Sequence, residues 1–156
     1  MTDCLFCRIV NKKISAQIID ENDDVMAFLD ISPAAPGHLL IIPKKHYPNF
    51  GLTDVSYLEK MVHMAKNLTF ALEDALKNIA GFNYLMNSYP AAGQVVMHTH
   101  LHIIPKYGAD EGFYFGANKK TLSEKEQTIA NQEIFKKVSR VVQKQKKSRF
   151  GKHFLA

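Results

Sequence analysis

Residues 98–104 read His98-Thr99-His100-Leu101-His102-Ile103-Ile104, and they follow the small-residue loop Tyr89-Pro90-Ala91-Ala92-Gly93. On a β-strand successive side chains alternate between faces, so the three histidines are expected to project from one face, about 6.5 to 7 Å between successive members. Met97, Thr99, Leu101 and Ile103 then take the other face, where Met97, Leu101 and Ile103 can enter a core. Surface strands usually carry Thr, Lys or Glu rather than three imidazoles in five positions. The stretch therefore predicts a strand built around an active site or a metal site.

Working outward, Val95 to Ile104 and Phe82 to Asn87 read as two strands joined by that loop. Upstream, Leu58, Met61, Val62, Ala65, Leu68, Leu72, Ala75, Leu76 and Ile79 follow the i, i+3, i+4, i+7 pattern of an amphipathic helix. Ser56 with Glu59 has the spacing of a capping box, and Gly81 marks the far end. Ile14 to Asp20 and Val25 to Asp30 flank the polar run 21–24 and predict a hairpin; His38 to Pro43 is a third strand after the Pro- and Gly-containing loop 32–37. The expected fold is α+β: a five-stranded antiparallel sheet with one long helix packed on it, plus a C-terminal helix over Ser123 to about Lys147. That second helix has a thin apolar stripe of Ile129, Ile134, Val138, Val141 and Val142. Residues 110–116 read as a loop with aromatic anchors, and residues 146–152 as poorly ordered.

The chain has 156 residues, a size for one domain with tails. Two cysteines, Cys4 and Cys7, form no disulfide framework; their spacing suits a metal knuckle or a redox pair. No apolar run approaches the roughly 20 residues of a membrane span, and residues 1–4 lack a basic-then-apolar leader, so a soluble cytoplasmic protein without membrane association is expected. The net charge of +5 is unevenly placed: residues 1–117 hold 9 Lys+Arg against 12 Asp+Glu, or −3, while 118–156 hold 11 against 3, or +8. A basic tail is either a solvated helix face or an arm for polyanions such as nucleic acid. Its few aromatics, Phe135, Phe150 and Phe154, weigh against base stacking.

Two chemistries fit the histidine stretch. His-x-His with a third ligand from His38 or His46 would make a water-activating metal site. Alternatively, one imidazole attacks an electrophile while its other nitrogen is held by a hydrogen bond that fixes the tautomer. Gly93 and Gln94, with Asn87 nearby in sequence, suit close backbone approach to a phosphate, which favours phosphorus as the electrophile.

The stretch 98–104 with Ala92-Gly93-Gln94 resembles the histidine triad (HIT) signature. Phe28-Leu29-Asp30-Ile31-Ser32-Pro33 and Pro36-Gly37-His38 through His46 resemble the same family's upstream block, so the likeness spans residues 4–115, with 116–156 as a basic helical extension. The family implies a homodimeric fold that binds purine nucleotides and hydrolyses or transfers nucleoside monophosphates, AMP above all, from phosphoramidates and dinucleoside polyphosphates. By position, His100 matches the nucleophile, His102 the histidine near phosphate and leaving group, and His38 the one completing the cluster. Asp30 matches the ribose acceptor, Phe6, Ile9, Phe28, Leu29 and Ile31 the base pocket, and Asn87, Gly93 and Gln94 the phosphate cradle. Many phosphoramidate-cleaving members carry Ser or Thr where this chain has Val95, so one hydroxyl contact is missing.

The Cys-x-x-Cys is similar to that of a bacterial branch in which two thiolates join two histidines around zinc. The resemblance implies Cys4, Cys7, His46 and His98 as ligands of one structural zinc per chain. His63 and His153 are read as surface or structural residues. A regulatory nucleotide-binding scaffold without significant turnover is the competing reading of the pocket.

Overall fold

The computed structural model of the chain describes residues 4–109 and 123–151. Residues 1–115 and 116–156 form two units. The first contains helix α1 (Leu5–Val10), strands β1 (Ile18–Glu21), β2 (Val25–Leu29) and β3 (Leu39–Pro43), helix α2 (Val55–Ala75), and strands β4 (Gly81–Leu85) and β5 (Leu101–Lys106). The strands form one antiparallel sheet in the order β1-β2-β3-β5-β4, as the α+β expectation requires.

Strands β2 and β3 are almost wholly buried because both sheet faces are covered. Val25, Ala27, Leu39, Ile41, Leu101 and Ile103 pack with Met61, Met64, Ala65 and Leu68 of α2. The alternate residues Met26, Phe28, Leu40 and Ile42 pack on the other face with Phe6 and Ile9 of α1. His102 lies opposite Leu40 in the ladder, so strand alternation delivers it to the α1 face.

Four sequence expectations need correction. The strand carrying the histidines begins at Leu101, not Val95, and His98 and His100 precede it. There the chain leaves the ladder: the Thr99 N–H donates to the Tyr47 carbonyl at 2.7 Å, and Met97 is 40% exposed rather than in the core. Helix α2 starts at Val55 after Asp54, so Ser56 is no cap, and it ends at Ala75, leaving Gly81 to open β4. Helix α1 is an addition; six residues are too few for periodicity to reveal.

The second unit contains α3 (Glu124–Gly151), which continues past Lys146, where loss of order is expected from sequence, as far as Gly151. Ser123 and Glu126 supply a capping box there: the Ser123 N–H donates to Glu126 Oε2 at 2.9 Å, and the Glu126 N–H to Ser123 Oγ at 3.4 Å. The aromatic loop 110–116 and His153 lie outside the described residues. No helix among the described residues is long and apolar enough to cross a membrane.

Candidate active site and adjoining metal-ligand cluster

Gly37 sets the position of His38. It sits at φ +81°, which favours glycine, and a Cβ there would lie 2.6 Å from Leu76 Cδ1, so any side chain would also have to displace that leucine. The His38 ring then accepts at Nδ1 from the Ala34 N–H at 3.1 Å. A backbone amide can only donate, so Nδ1 carries the lone pair and Nε2 the hydrogen. His38 Nε2 lies 2.9 Å from His102 Nδ1 and donates to it. His102 is thereby left with its hydrogen on Nε2.

The same reasoning gives His100 the opposite tautomer. Its Nδ1 lies 2.6 Å from the His98 carbonyl, which can only accept, so Nδ1 is protonated and Nε2 keeps a free lone pair. Burial holds His38 and His100 below the ordinary imidazole value of 6.5, although Asp30 opposes the shift in both. Burial also pushes His102 down to about 4, with His100 and His38 adding to the effect. All three rings are therefore neutral near pH 7. A neutral lone-pair nitrogen on His100 stands beside a neutral N–H donor on His102, their ring centroids 4.9 Å apart.

These two rings line a cavity of about 410 Å³. Of the residues expected there, Phe6, Ile9, Phe28, Leu29, Asp30, Ile31, Gly93 and Val95 line it too. Phe6, Ile9 and Phe28 are at once buried core and cavity wall. The Asp30 carboxylate accepts from the Ser32 N–H at 2.8 Å and lies 3.6 Å from His38 Nε2, an electrostatic rather than a hydrogen-bonding distance. Ile31 and Val95 are 91% and 92% exposed, standing at the cavity's lips.

Asn87 and Gln94 are not among the lining residues. Asn87 Nδ2 lies 3.4 Å from where a Gly93 Cβ would stand. Gln94 is buried: it accepts from the Tyr89 N–H at 2.7 Å and donates to the carbonyls of Pro48 at 2.6 Å and Val96 at 3.1 Å. Its amide thus braces the loop that carries Gly93, itself left-handed at φ +87°. Leu5, Ile14, Ser15, Ala16, Ser32, Leu40 and Val96 also line the cavity and were not expected. Leu5 enters through α1, which periodicity could not reveal; Leu40 was legible as an alternate residue of β3.

Cys4, Cys7, His46 and His98 form a second cluster, with all ligand atoms within 4.8 Å of one another. His98 Nδ1 lies 3.5 Å from Cys4 Sγ, 3.6 Å from Cys7 Sγ and 3.3 Å from His46 Nδ1, and Cys7 Sγ lies 3.3 Å from His46 Nδ1. A tetrahedral zinc with ordinary Zn–S and Zn–N bonds sets its ligands about 3.3 to 3.8 Å apart, so the spacing fits. His98 Nε2 donates to the Pro43 carbonyl at 2.8 Å, which leaves Nδ1 as the ligating nitrogen, and burial pushes His98 down to about 4, keeping it neutral. Burial, and next the hydrogen bond the Cys7 thiol donates to Cys4, push Cys7 up to about 11, a penalty a bound cation would reverse. The set could hold a metal with no position left open.

The cluster is tied to the active site at two points. His98 offers its side chain to the cluster and its carbonyl to His100. Phe6, on α1 between Cys4 and Cys7, stands edge-on to the rings of His98 and His100, at centroid distances of 5.8 and 5.3 Å. A further titratable grouping, Asp30 with His38 and His102, belongs to the candidate active site.

A family model described as the HIT domain matches residues 11–109. The chain is 43% identical over 132 residues to a HIT-like protein of Mycoplasma genitalium, covering 83% of this chain and 93% of that one. It is 39% identical over 108 residues to Adenylylsulfatase HINT3 of Arabidopsis thaliana, covering 69% of this chain and 54% of that protein. Its fold is similar to the crystal structure of the histidine triad nucleotide-binding protein of Candida albicans, with a TM-score of 0.75 at 30% identity over 89% of this chain and 99% of that one.

Proposed function

The chain belongs to the HIT domain family, and from that membership we propose that it is a nucleotide-binding hydrolase or nucleotidyl transferase acting through His100. The substrates are nucleoside phosphoramidates or dinucleoside polyphosphates, and the product is a nucleoside monophosphate, with AMP as the leading candidate. Similarity to a plant adenylylsulfatase and to a fungal nucleotide-binding protein supports the nucleotide and the hydrolysis. The observation that carries the reading is the opposed tautomers of His100 and His102 on one cavity wall.

The Nε2 lone pair of His100 attacks phosphorus, and the bond to the leaving atom breaks with its electron pair, that atom taking a proton from solvent. The His102 Nε2–H donates to a phosphoryl oxygen as charge builds there. Water then attacks the nucleotidyl-histidine: a P–O bond forms, the P–N bond breaks with its pair returning to Nε2, and one proton leaves to solvent. Because His100 keeps its Nδ1 hydrogen on the His98 carbonyl throughout, the phosphorylated ring is cationic and a good leaving group. Asp30 accepts the ribose hydroxyls, Phe6, Ile9, Phe28, Leu29 and Ile31 enclose a purine, and the loop with Asn87, Gly93, Gln94 and Val95 borders the phosphate.

Cys4, Cys7, His46 and His98 are read as the ligands of one structural zinc per chain. A bound zinc would supply a structural cross-link among these four side chains and no activated water. The chain is further read as a homodimer through α2 and the edge strand β4, where Val62, Phe70 and Tyr84 are exposed around an apolar groove.

The test is steady-state release of AMP from adenosine 5′-phosphoramidates, with nucleotide affinity measured by calorimetry. The reading expects wild-type turnover, loss of it in His100→Ala, and an AMP Kd within about threefold of wild type in that variant. Binding without turnover in the wild type would leave a regulatory nucleotide-binding protein.

A further inference from the structure

Residues 94–99 stand outside the ladder, and residues 43–53 hold them there. The Pro43 carbonyl accepts from His98 Nε2, the Pro48 carbonyl from Gln94 Nε2, and the Tyr47 carbonyl from the Thr99 N–H. Thr99 is attached a second time, through its side chain. The residue is 1% exposed, and its Oγ1 lies 2.7 Å from Thr53 Oγ1 and 3.2 Å from the Tyr47 carbonyl. Thr53 gives its one hydroxyl hydrogen to the Asn49 carbonyl at 2.9 Å, which can only accept, so its oxygen is left to accept from Thr99.

The Thr99 N–H and the His98 carbonyl belong to one trans peptide unit, whose plane points the two groups in opposite directions. The N–H is anchored on Tyr47, and the carbonyl receives the Nδ1 hydrogen of His100 at 2.6 Å. Any tilt of that plane moves the oxygen that selects the His100 tautomer. The bond to Tyr47 fixes the plane along one line, and the Thr99 hydroxyl, carried on the same Cα, resists rotation about that line. The next alternate residues, Leu101 and Ile103, are apolar core, and a valine would match Thr99 in shape with no polar atom to bury. A buried hydroxyl here therefore serves its hydrogen bonds and not the packing.

Resting on the role given to His100 above, we propose that Thr99 is a positioning residue for the reaction. Its hydroxyl, through Thr53, holds the 98–99 peptide so that the His98 carbonyl keeps the His100 hydrogen on Nδ1 and the lone pair on Nε2. Thr99 does not line the cavity and acts only through His100.

The experiment compares wild type with Thr99→Val, which deletes the hydroxyl at constant shape, Thr99→Ser, which keeps it, and Thr53→Val, which removes only its acceptor. AMP release from an adenosine 5′-phosphoramidate gives kcat, calorimetry gives the AMP Kd, and long-range proton–nitrogen NMR reads the tautomer of the His100 ring. Thr99→Val should lower kcat about tenfold with Kd within about threefold of wild type, and its His100 should change from one Nδ1-protonated tautomer to a mixture. Thr99→Ser should restore both. Thr53→Val should fall between, because the Thr99 hydroxyl can turn to the Tyr47 carbonyl. Wild-type kcat with a single His100 tautomer in Thr99→Val, or a loss that Thr99→Ser does not restore, would overturn the proposal while leaving the hydrolase reading intact. Should Thr99→Val fail to fold, Thr53→Val decides: an unmoved tautomer and rate there would overturn it equally. Without turnover by the wild type the hydrolase reading falls, and the tautomer populations alone decide the role of Thr99.

Discussion

The Nδ1 of His100 lies 2.6 Å from the carbonyl oxygen of His98, whose own ring nitrogen faces Cys4, Cys7 and His46. One residue thus serves two sites: its side chain belongs to the candidate metal-ligand cluster, and its backbone fixes which nitrogen of His100, the proposed nucleophile, is free. On the proposed function, that relationship would make the cluster a determinant of the geometry at His100 without a role in bond making.

Removing a cluster ligand should therefore cost stability first and rate second. Cys7→Ser is expected to lose one metal ion per chain by native mass spectrometry and to lower Tm by about 10 °C or more. Residual turnover should survive, because no step requires the metal. An unchanged Tm, or activity that vanishes on chelation while the chain stays folded, would contradict a structural role.

On the proposed mechanism His38 acts through His102, to which it is hydrogen-bonded. In His38→Ala the Ala34–His38–His102 chain is broken and His102 is free to adopt either tautomer. The expected result is a fall in kcat of about a hundredfold with little change in AMP affinity. Long-range proton–nitrogen NMR of the His102 ring should show a single tautomer in the wild type, protonated at Nε2, and a mixture in the variant, which a merely structural role would not produce.

The pH dependence of stability follows from the burial of His102. Its folded-state pKa, about 4, lies below the ordinary 6.5, so between these values the unfolded chain binds a proton that the folded chain does not. Stability contributed by the neutral ring is present above about 6.5 and is lost as pH falls toward 4. Urea unfolding should show this loss, and His102→Asn should show a shallower decline over the same window.

Gly37→Ala should destabilise the fold by about 2 kcal/mol, since it places a side chain in left-handed backbone against α2's last turn and the segment after it. Because Gly37 precedes His38, catalytic rate should fall along with denaturant midpoint.

Much of the fold is readable from pattern. Leu39 to Pro43 and Val25 to Leu29 are apolar on both faces, and α2 repeats over six turns, so their existence follows from periodicity. The motif around His100 locates the cavity wall from sequence. The onset of β5 does not follow from alternation, because His98 is drawn out of the ladder toward thiols 91 and 94 residues away and toward the Pro43 carbonyl. The tautomers were equally hidden: the groups that fix them, the Ala34 amide and the His98 carbonyl, are backbone atoms no residue pattern encodes. Gln94 illustrates the same limit, since only the fold shows that its amide meets Pro48 and leaves none for a ligand.

The central claim is that His100 becomes covalently nucleotidylated. Rapid quenching of the purified chain with an adenosine 5′-phosphoramidate, followed by intact-protein mass spectrometry, measures this directly. The account predicts a transient adduct of one AMP per active site in the wild type, on His100 by peptide mapping, and none in His100→Ala. AMP release without any adduct on the millisecond timescale, or an adduct that persists in His100→Ala, would contradict it.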